Sequence, residues 1–199
     1  MSLKRSYSLL APVYDWMVAG PLREARRTSL ARLPRQCRMR ILLNGVGTGL
    51  DLPYLPSLHD YIGVDLTAAM LARAALRRGE LELALIQGDS LRLPFANASF
   101  DCAVLHLIVA VTGDPVRTLQ ETARVLKPGA RVLLLDKFLR AGRSAPLRRA
   151  LSPLMARIAT RLDVVFEDVM AEVREFEVIS DEPALAGGWF RRIELLKTR

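Results

Sequence analysis

The sequence predicts an α/β fold: a mostly parallel sheet with helices on both faces. Short apolar runs alternate with helical patterns over about 100 residues, from Met39 to Phe138, and strand–helix–strand units of this kind close through right-handed crossovers. A Gly-rich turn, Gly45-Val46-Gly47-Thr48-Gly49, follows the first of these runs. The last run, Ala130 to Phe138, is the most apolar, as a strand at a sheet centre covered on both faces should be.

Taken in order, Tyr7 to Leu33 looks helical and precedes the first strand, Met39 to Asn44. The Gly-rich turn then opens a helix near Asp51-Leu52-Pro53. A strand over Tyr61 to Leu66 leads into a helix from Thr67 to Arg78, with Thr67 at the N-cap. A strand follows at Leu81 to Gly88, and after the loop Leu93 to Asn97 another runs from Phe100 to Leu107. Asp114-Pro115 starts the next helix, an N-cap residue followed by proline at the first helical position. Lys127-Pro128-Gly129 stops it ahead of the apolar strand. At the C-terminus Phe176 to Leu185 and Trp189 to Thr198 read as strands joined at Gly187-Gly188, a hairpin signal. A parallel sheet finished by an antiparallel C-terminal strand fits this pattern.

Composition sets the scale. The chain has 199 residues, 51% hydrophobic and 25% charged, with no repeat or linker tract, so it reads as one domain over 1–199. A chain of this size buries about 70% of its unfolded surface, which excludes a scaffold dependent on disulfides or structural metal. Cys37 and Cys102 have no partner at metal-ligand spacing, and a reducing compartment is expected. The N-terminal residues lack the apolar run of a signal peptide, and no stretch reaches the roughly 18 uncharged apolar residues of a membrane span. These features predict a cytoplasmic protein. The 29 basic residues, nearly all arginine, exceed the 21 acidic ones and give a net charge of +8. That excess fits an anionic partner or a merely arginine-rich composition, and charge alone does not choose.

Three strand ends carry the chemistry. Gly45, Gly47 and Gly49 let the backbone approach a ligand where a Cβ would collide. Asp65 ends the second strand sixteen residues beyond Gly49, placed to accept both hydroxyls of a ribose. Asp89 closes the third strand in Gly88-Asp89-Ser90, placed to accept from an exocyclic amine. Either aspartate alone would serve as a helix cap. Both, at consecutive strand ends after a Gly-rich turn, converge on a nucleoside.

The segments ILLNGVGTGLDLPYL, YIGVDLTAAMLARA, GDSLRLPFANASFD and RVLKPGARVLLLD resemble, in order and spacing, the class I S-adenosylmethionine-dependent methyltransferases. The resemblance spans nearly the whole chain. It implies a Rossmann-like methyltransferase fold with a seven-stranded, mostly parallel sheet. It also implies S-adenosylmethionine as cofactor, with Gly45, Gly47 and Gly49 beside the methionine part and Asp65 on the ribose. Leu66 and Met70 would lie near the adenine, Asp89 and Ser90 on its edge, and His106 across the cofactor from them. One position departs from the family. An acidic residue is usual two positions before the first glycine, where this chain has Leu43 followed by Asn44; this implies either weaker cofactor binding or compensation by Asn44, counted among the cofactor-binding candidates, or by Asp51.

The N-terminal Tyr7-Ser8-Leu9-Leu10-Ala11-Pro12-Val13-Tyr14-Asp15 is similar to the start of two bacterial subfamilies, phospholipid (phosphatidylethanolamine) N-methyltransferases and quinone-ring C-methyltransferases. HLIVAVTGDP and the Gly187-Gly188-Trp189-Phe190 tail more closely resemble the first. In that reading residues 1–36 form a helical cap over a 37–199 core, Tyr7 and Tyr14 close over the acceptor, and Tyr14 and His106 are the catalytic candidates. Simple helix packing is the alternative role for either tyrosine. A further segment, 145–162, places Leu147, Leu151, Leu154, Met155, Ile158 and Leu162 at helical spacing, flanked by Arg148, Arg149, Arg157 and Arg161. This suits an interfacial helix on anionic lipid or a helix covering the sheet. With Arg23, Arg26 and Arg27 it makes peripheral membrane docking reasonable. The leading expectation is methyl transfer to a lipid head-group amine at the inner membrane face. A quinone precursor or other small molecule is the alternative acceptor, a cofactor-binding protein without catalysis is another alternative, and no specific nucleic-acid partner is expected.

Overall fold

The computed structural model describes residues 20–139 and 164–199. The Tyr7, Tyr14 and 145–162 assignments lie outside them. Seven strands form one sheet: β1 (Arg40–Asn44), β2 (Asp60–Asp65), β3 (Glu82–Gln87), β4 (Phe100–His106), β5 (Leu126–Lys137), β6 (Phe176–Leu185) and β7 (Phe190–Lys197). Their order is β3-β2-β1-β4-β5-β7-β6. β1 to β5 pair in parallel, and β7 runs antiparallel to both β5 and β6. The antiparallel C-terminal strand is therefore present, and β6 occupies the edge beyond it.

Period-two alternation in the central strands feeds two separate apolar layers. Leu42, Ala103, Leu105, Val132 and Leu134 face one layer, covered by Leu119 and Ala123 of α3 (Pro115–Val125) and by Phe166 and Val169 of α4 (Phe166–Glu172). Ile41, Leu43, Cys102, Val104 and Leu133 face the other, with Leu30 of α1 (Arg23–Leu30) and Ala74 of α2 (Ala68–Leu76). Helices thus cover both faces, as the strand sequences require.

One local reading needs correction. The helix expected after the Gly-rich turn is only a 3₁₀ turn over Leu52–Tyr54, because Pro56 lacks an N–H and disfavours helical backbone before it. Thr67 is the N-cap of α2 with extended backbone, but its side chain makes no cap bond; its hydroxyl donates to Asp65 instead. Asp114 caps α3 as predicted, accepting from the Arg117 N–H at 2.9 Å. Between β1 and β4 the strand order reverses direction, the switch point at which open α/β sheets leave a crevice beyond their strand ends.

Candidate functional site

A cleft of about 350 Å³ opens at that switch point. The Gly-rich turn after β1, Asp65 to Thr67 after β2, Asp89 to Leu91 after β3 and His106 to Ile108 after β4 all line it. Two glycines show that the turn is shaped for different neighbours. A Cβ on Gly49 would stand 2.9 Å from the Ala74 Cα, so this glycine lets α2 pack against the turn. Gly47, also at positive φ, would bring a Cβ no closer than 3.9 Å to another protein atom. Its bare Cα leaves space in the cleft that a Cβ would take up.

Asp65 is held by its own surroundings. Oδ2 accepts the Gly47 N–H at 3.1 Å and Oδ1 the Thr67 N–H at 3.0 Å, with the Thr67 hydroxyl at 3.2 Å. Burial pushes this carboxyl above its ordinary value, against those bonds. Asp89 is exposed and accepts the Leu91 N–H at 2.9 Å. Leu66 and Met70 line the cleft between these two aspartates. Ser90 also lines it, but its hydroxyl donates to Asn44 Oδ1 at 2.6 Å. Asn44 donates in turn to the Thr122 hydroxyl at 3.2 Å. It is buried and is not among the residues lining the cleft; it ties the ends of β1 and β3 to α3. The 91–97 loop behind the adenine-edge candidates is pinned by α3 as well. Arg124 donates to the Leu93, Phe95 and Asn97 oxygens at 2.8–3.0 Å, and Glu121 accepts the Leu93 N–H.

The opposite wall holds a buried network that the sequence did not reveal. Arg26 Nη1 donates to Asp51 Oδ1 at 2.7 Å, and the His106 ring meets the same oxygen through Nδ1 at 2.9 Å. His106 Nε2 lies 3.0 Å from Ser29 Oγ. Burial opposes ionisation of Asp51, but Arg26 and His106 outweigh it and hold the carboxyl well below the usual carboxylate range. Both ring nitrogens of His106 are therefore engaged within the protein. Arg26 also leaves the set of surface arginines proposed from sequence, being 5% exposed. Leu22, Ala25, Arg26, Ser29 and Leu30 form the buried face of the first helix region, and their i, i+3, i+4, i+7 spacing was the signal available for that placement.

The remaining wall, Leu107, Ile108, Val111, Thr112 and Gly113, carries no charge. Its backbone is fixed from β5: the buried Asp136 carboxylate accepts the Ala110 N–H at 3.0 Å. Among the described residues, the charged side chains lining the cleft are three aspartates and one arginine, a net negative set that favours a cationic ligand.

Comparison with known proteins agrees with this geometry. A family model described as a methyltransferase domain matches residues 42–134. A phosphatidylethanolamine N-methyltransferase of Cereibacter sphaeroides is 32% identical over 194 residues, covering 95% of this chain and 94% of the relative. The chain belongs to the class I S-adenosylmethionine-dependent methyltransferases. A demethylmenaquinone methyltransferase of Roseiflexus sp. (strain RS-1) is 34% identical over 169 residues, covering 78% of this chain and 70% of the relative. Among solved structures, a methyltransferase bound to the Haloferax volcanii Trm112 activator superposes with a TM-score of 0.80 at 17% identity, over 97% of this chain and 98% of that one. The cofactor of this methyltransferase is S-adenosylmethionine. Its sulfonium and ammonium groups outweigh its carboxylate, so its net positive charge suits the negative cleft. The open face at Gly47 and the aspartates at the β2 and β3 ends line the same cleft.

Proposed function

We propose that this methyltransferase N-methylates a phospholipid head-group amine. The observation that carries the proposal is the end-to-end match to the phosphatidylethanolamine N-methyltransferase, which leaves only a few residues of either chain unmatched. The chemistry asks little of the protein. When bound, S-adenosylmethionine would supply an already activated methyl group, to which a neutral amine bonds in line as the C–S bond breaks and S-adenosylhomocysteine leaves, so the protein's work is to bind, orient and exclude water. Gly47 lies beside the methionine part, and Asp65 accepts from the ribose hydroxyls. Leu66 and Met70 cover the adenine, and Asp89 with the Ser90 backbone meets its edge. His106, with both nitrogens engaged, acts as a positioning residue, and the amine's proton leaves to solvent. Tyr7 and Tyr14 are assigned to the acceptor side, where ring faces suit a cationic methylated nitrogen. Arg148, Arg149, Arg157 and Arg161 are assigned to contact with anionic lipid, each contributing about 1 kcal/mol near such a surface.

A second reading, a quinone-ring acceptor, draws support from the demethylmenaquinone methyltransferase match and from the uncharged Leu107–Gly113 wall. Lipid extraction after expression in a host without methylated phospholipids separates the two. Mono-, di- or trimethylated phosphatidylethanolamine is the expected product. Unchanged phospholipids alongside a newly methylated quinone would replace the first reading with the second.

A further inference from the structure

Asp51 lies just past the Gly-rich turn and lines the cleft. Arg26 and His106 both bond its Oδ1, and Oδ2 receives neither of these bonds. The other two aspartates of the cleft are placed differently. Asp65 has both oxygens engaged by Gly47 and Thr67, and Asp89 stands at the β3 end with Oδ1 on the Leu91 N–H. At position 43 a leucine, 3% exposed, packs into the apolar layer with Ile41, Val46 and Leu52. A cation arriving beside the Gly-rich turn therefore meets one ionised carboxylate whose Oδ1 is fixed by Arg26 and His106 and whose Oδ2 receives neither of those bonds.

We propose that Asp51 Oδ2 receives the ammonium group at the amino-acid end of S-adenosylmethionine, with Arg26 and His106 as positioning residues that fix Oδ1. Ser29 orients the His106 ring: with the proton on Nδ1, the imidazole donates to Asp51 and accepts from the serine hydroxyl. Two of the four members, Arg26 and Ser29, stand on α1, so this helix is part of the cofactor site. The inference rests on the cofactor and is independent of the acceptor.

The test is titration calorimetry of the whole chain with S-adenosylhomocysteine and with 5′-methylthioadenosine, which keeps the nucleoside and thioether but lacks the amino-acid end. The wild type should prefer S-adenosylhomocysteine by at least about 30-fold, the scale of a charge-assisted hydrogen bond. Asp51→Asn should hold its methylthioadenosine affinity within about threefold and lose about tenfold or more of the preference, while Asp51→Glu, which keeps the charge, retains most of it. If Asp51→Asn does not fold, the double variant Arg26→Met/Asp51→Asn removes both halves of the buried pair and leaves no charge unpaired; the same loss of preference is expected. Full preference in either folded variant overturns the proposal, as does an equal loss of affinity for both ligands, which marks a purely structural role. A wild type that binds neither nucleoside overturns the cofactor reading itself.

Discussion

On the side of β1, β2 and β3 the cleft presents carboxylates and backbone N–H groups at three successive strand ends, whereas beyond β4 it presents Leu107, Ile108, Val111, Thr112 and Gly113 on a loop held by Asp136. The first wall is polar, and its Asp65 and Asp89 carboxylates are held in place by backbone N–H groups of the adjoining turns. The second is uncharged, and its chemistry is set by what lies against it. In the proposed function, cofactor recognition falls to the wall that strand ends define and acceptor choice to the uncharged one. The relatives include a phosphatidylethanolamine N-methyltransferase and a demethylmenaquinone methyltransferase, and function is set by site residues and loops rather than by the fold they decorate.

The largest expected effect tests whether position 43 belongs to the polar wall at all. Leu43 packs in the apolar layer that α1 and α2 cover, so Leu43→Glu should not restore the family's usual acid. It should bury an unpaired charge and cost about 3–5 kcal/mol in denaturant unfolding. A folded Leu43→Glu protein of undiminished stability and tighter S-adenosylhomocysteine binding would place this position in the cofactor site.

Next in size is Asp65→Ala. Removing the acceptor for two ribose hydroxyls should weaken S-adenosylhomocysteine by about 2 kcal/mol, roughly 30-fold, by calorimetry. Unchanged affinity in the folded variant would move the ribose away from the β2 end, and the polar wall would lose its central contact.

The polar wall was largely legible in the sequence and the rest was not, for physical reasons. Gly45, Gly47, Asp65 and Asp89 occupy strand ends, and a period-two apolar run announces where a strand ends. Asn44 shares that position, but residues at a strand's last turn face either cleft or interior, and only packing shows that its amide is consumed by Ser90 and Thr122. Arg26 and Asp51 are 25 residues apart, and nothing local links them; the pair exists because α1 lays one face on the turn. The 107–113 loop has neither periodicity nor charge to mark it, and Leu107 takes a positive φ of 60° that no leucine advertises.

The smallest effect, and the sharpest on the polar wall, is the pH dependence carried by Asp65. Burial raises its folded value above the ordinary 3.8, so its contribution to stability is fully present below the unfolded value and is lost as pH rises through the folded one. Cofactor affinity runs the other way, because only the carboxylate accepts from both hydroxyls at full strength, and affinity falls as pH drops through the folded value. Wild type should therefore trade stability for binding over the acidic range above 3.8. Asp65→Asn, which does not titrate, should flatten both trends. Unfolding and S-adenosylhomocysteine titrations of the two proteins from about pH 4 to pH 7, taken as differences, isolate this one group from the other carboxylates. Asp51 supplies the contrast: its folded value lies below the ordinary 3.8, so its contribution to stability is fully present above the unfolded value and is lost as pH falls from there toward the folded one, touching only the acid edge of the same window and with the opposite sign to Asp65. An affinity that falls with acid equally in wild type and Asp65→Asn would detach the ribose contact from Asp65 and shift the search to Asp89, the exposed carboxylate at the next strand end.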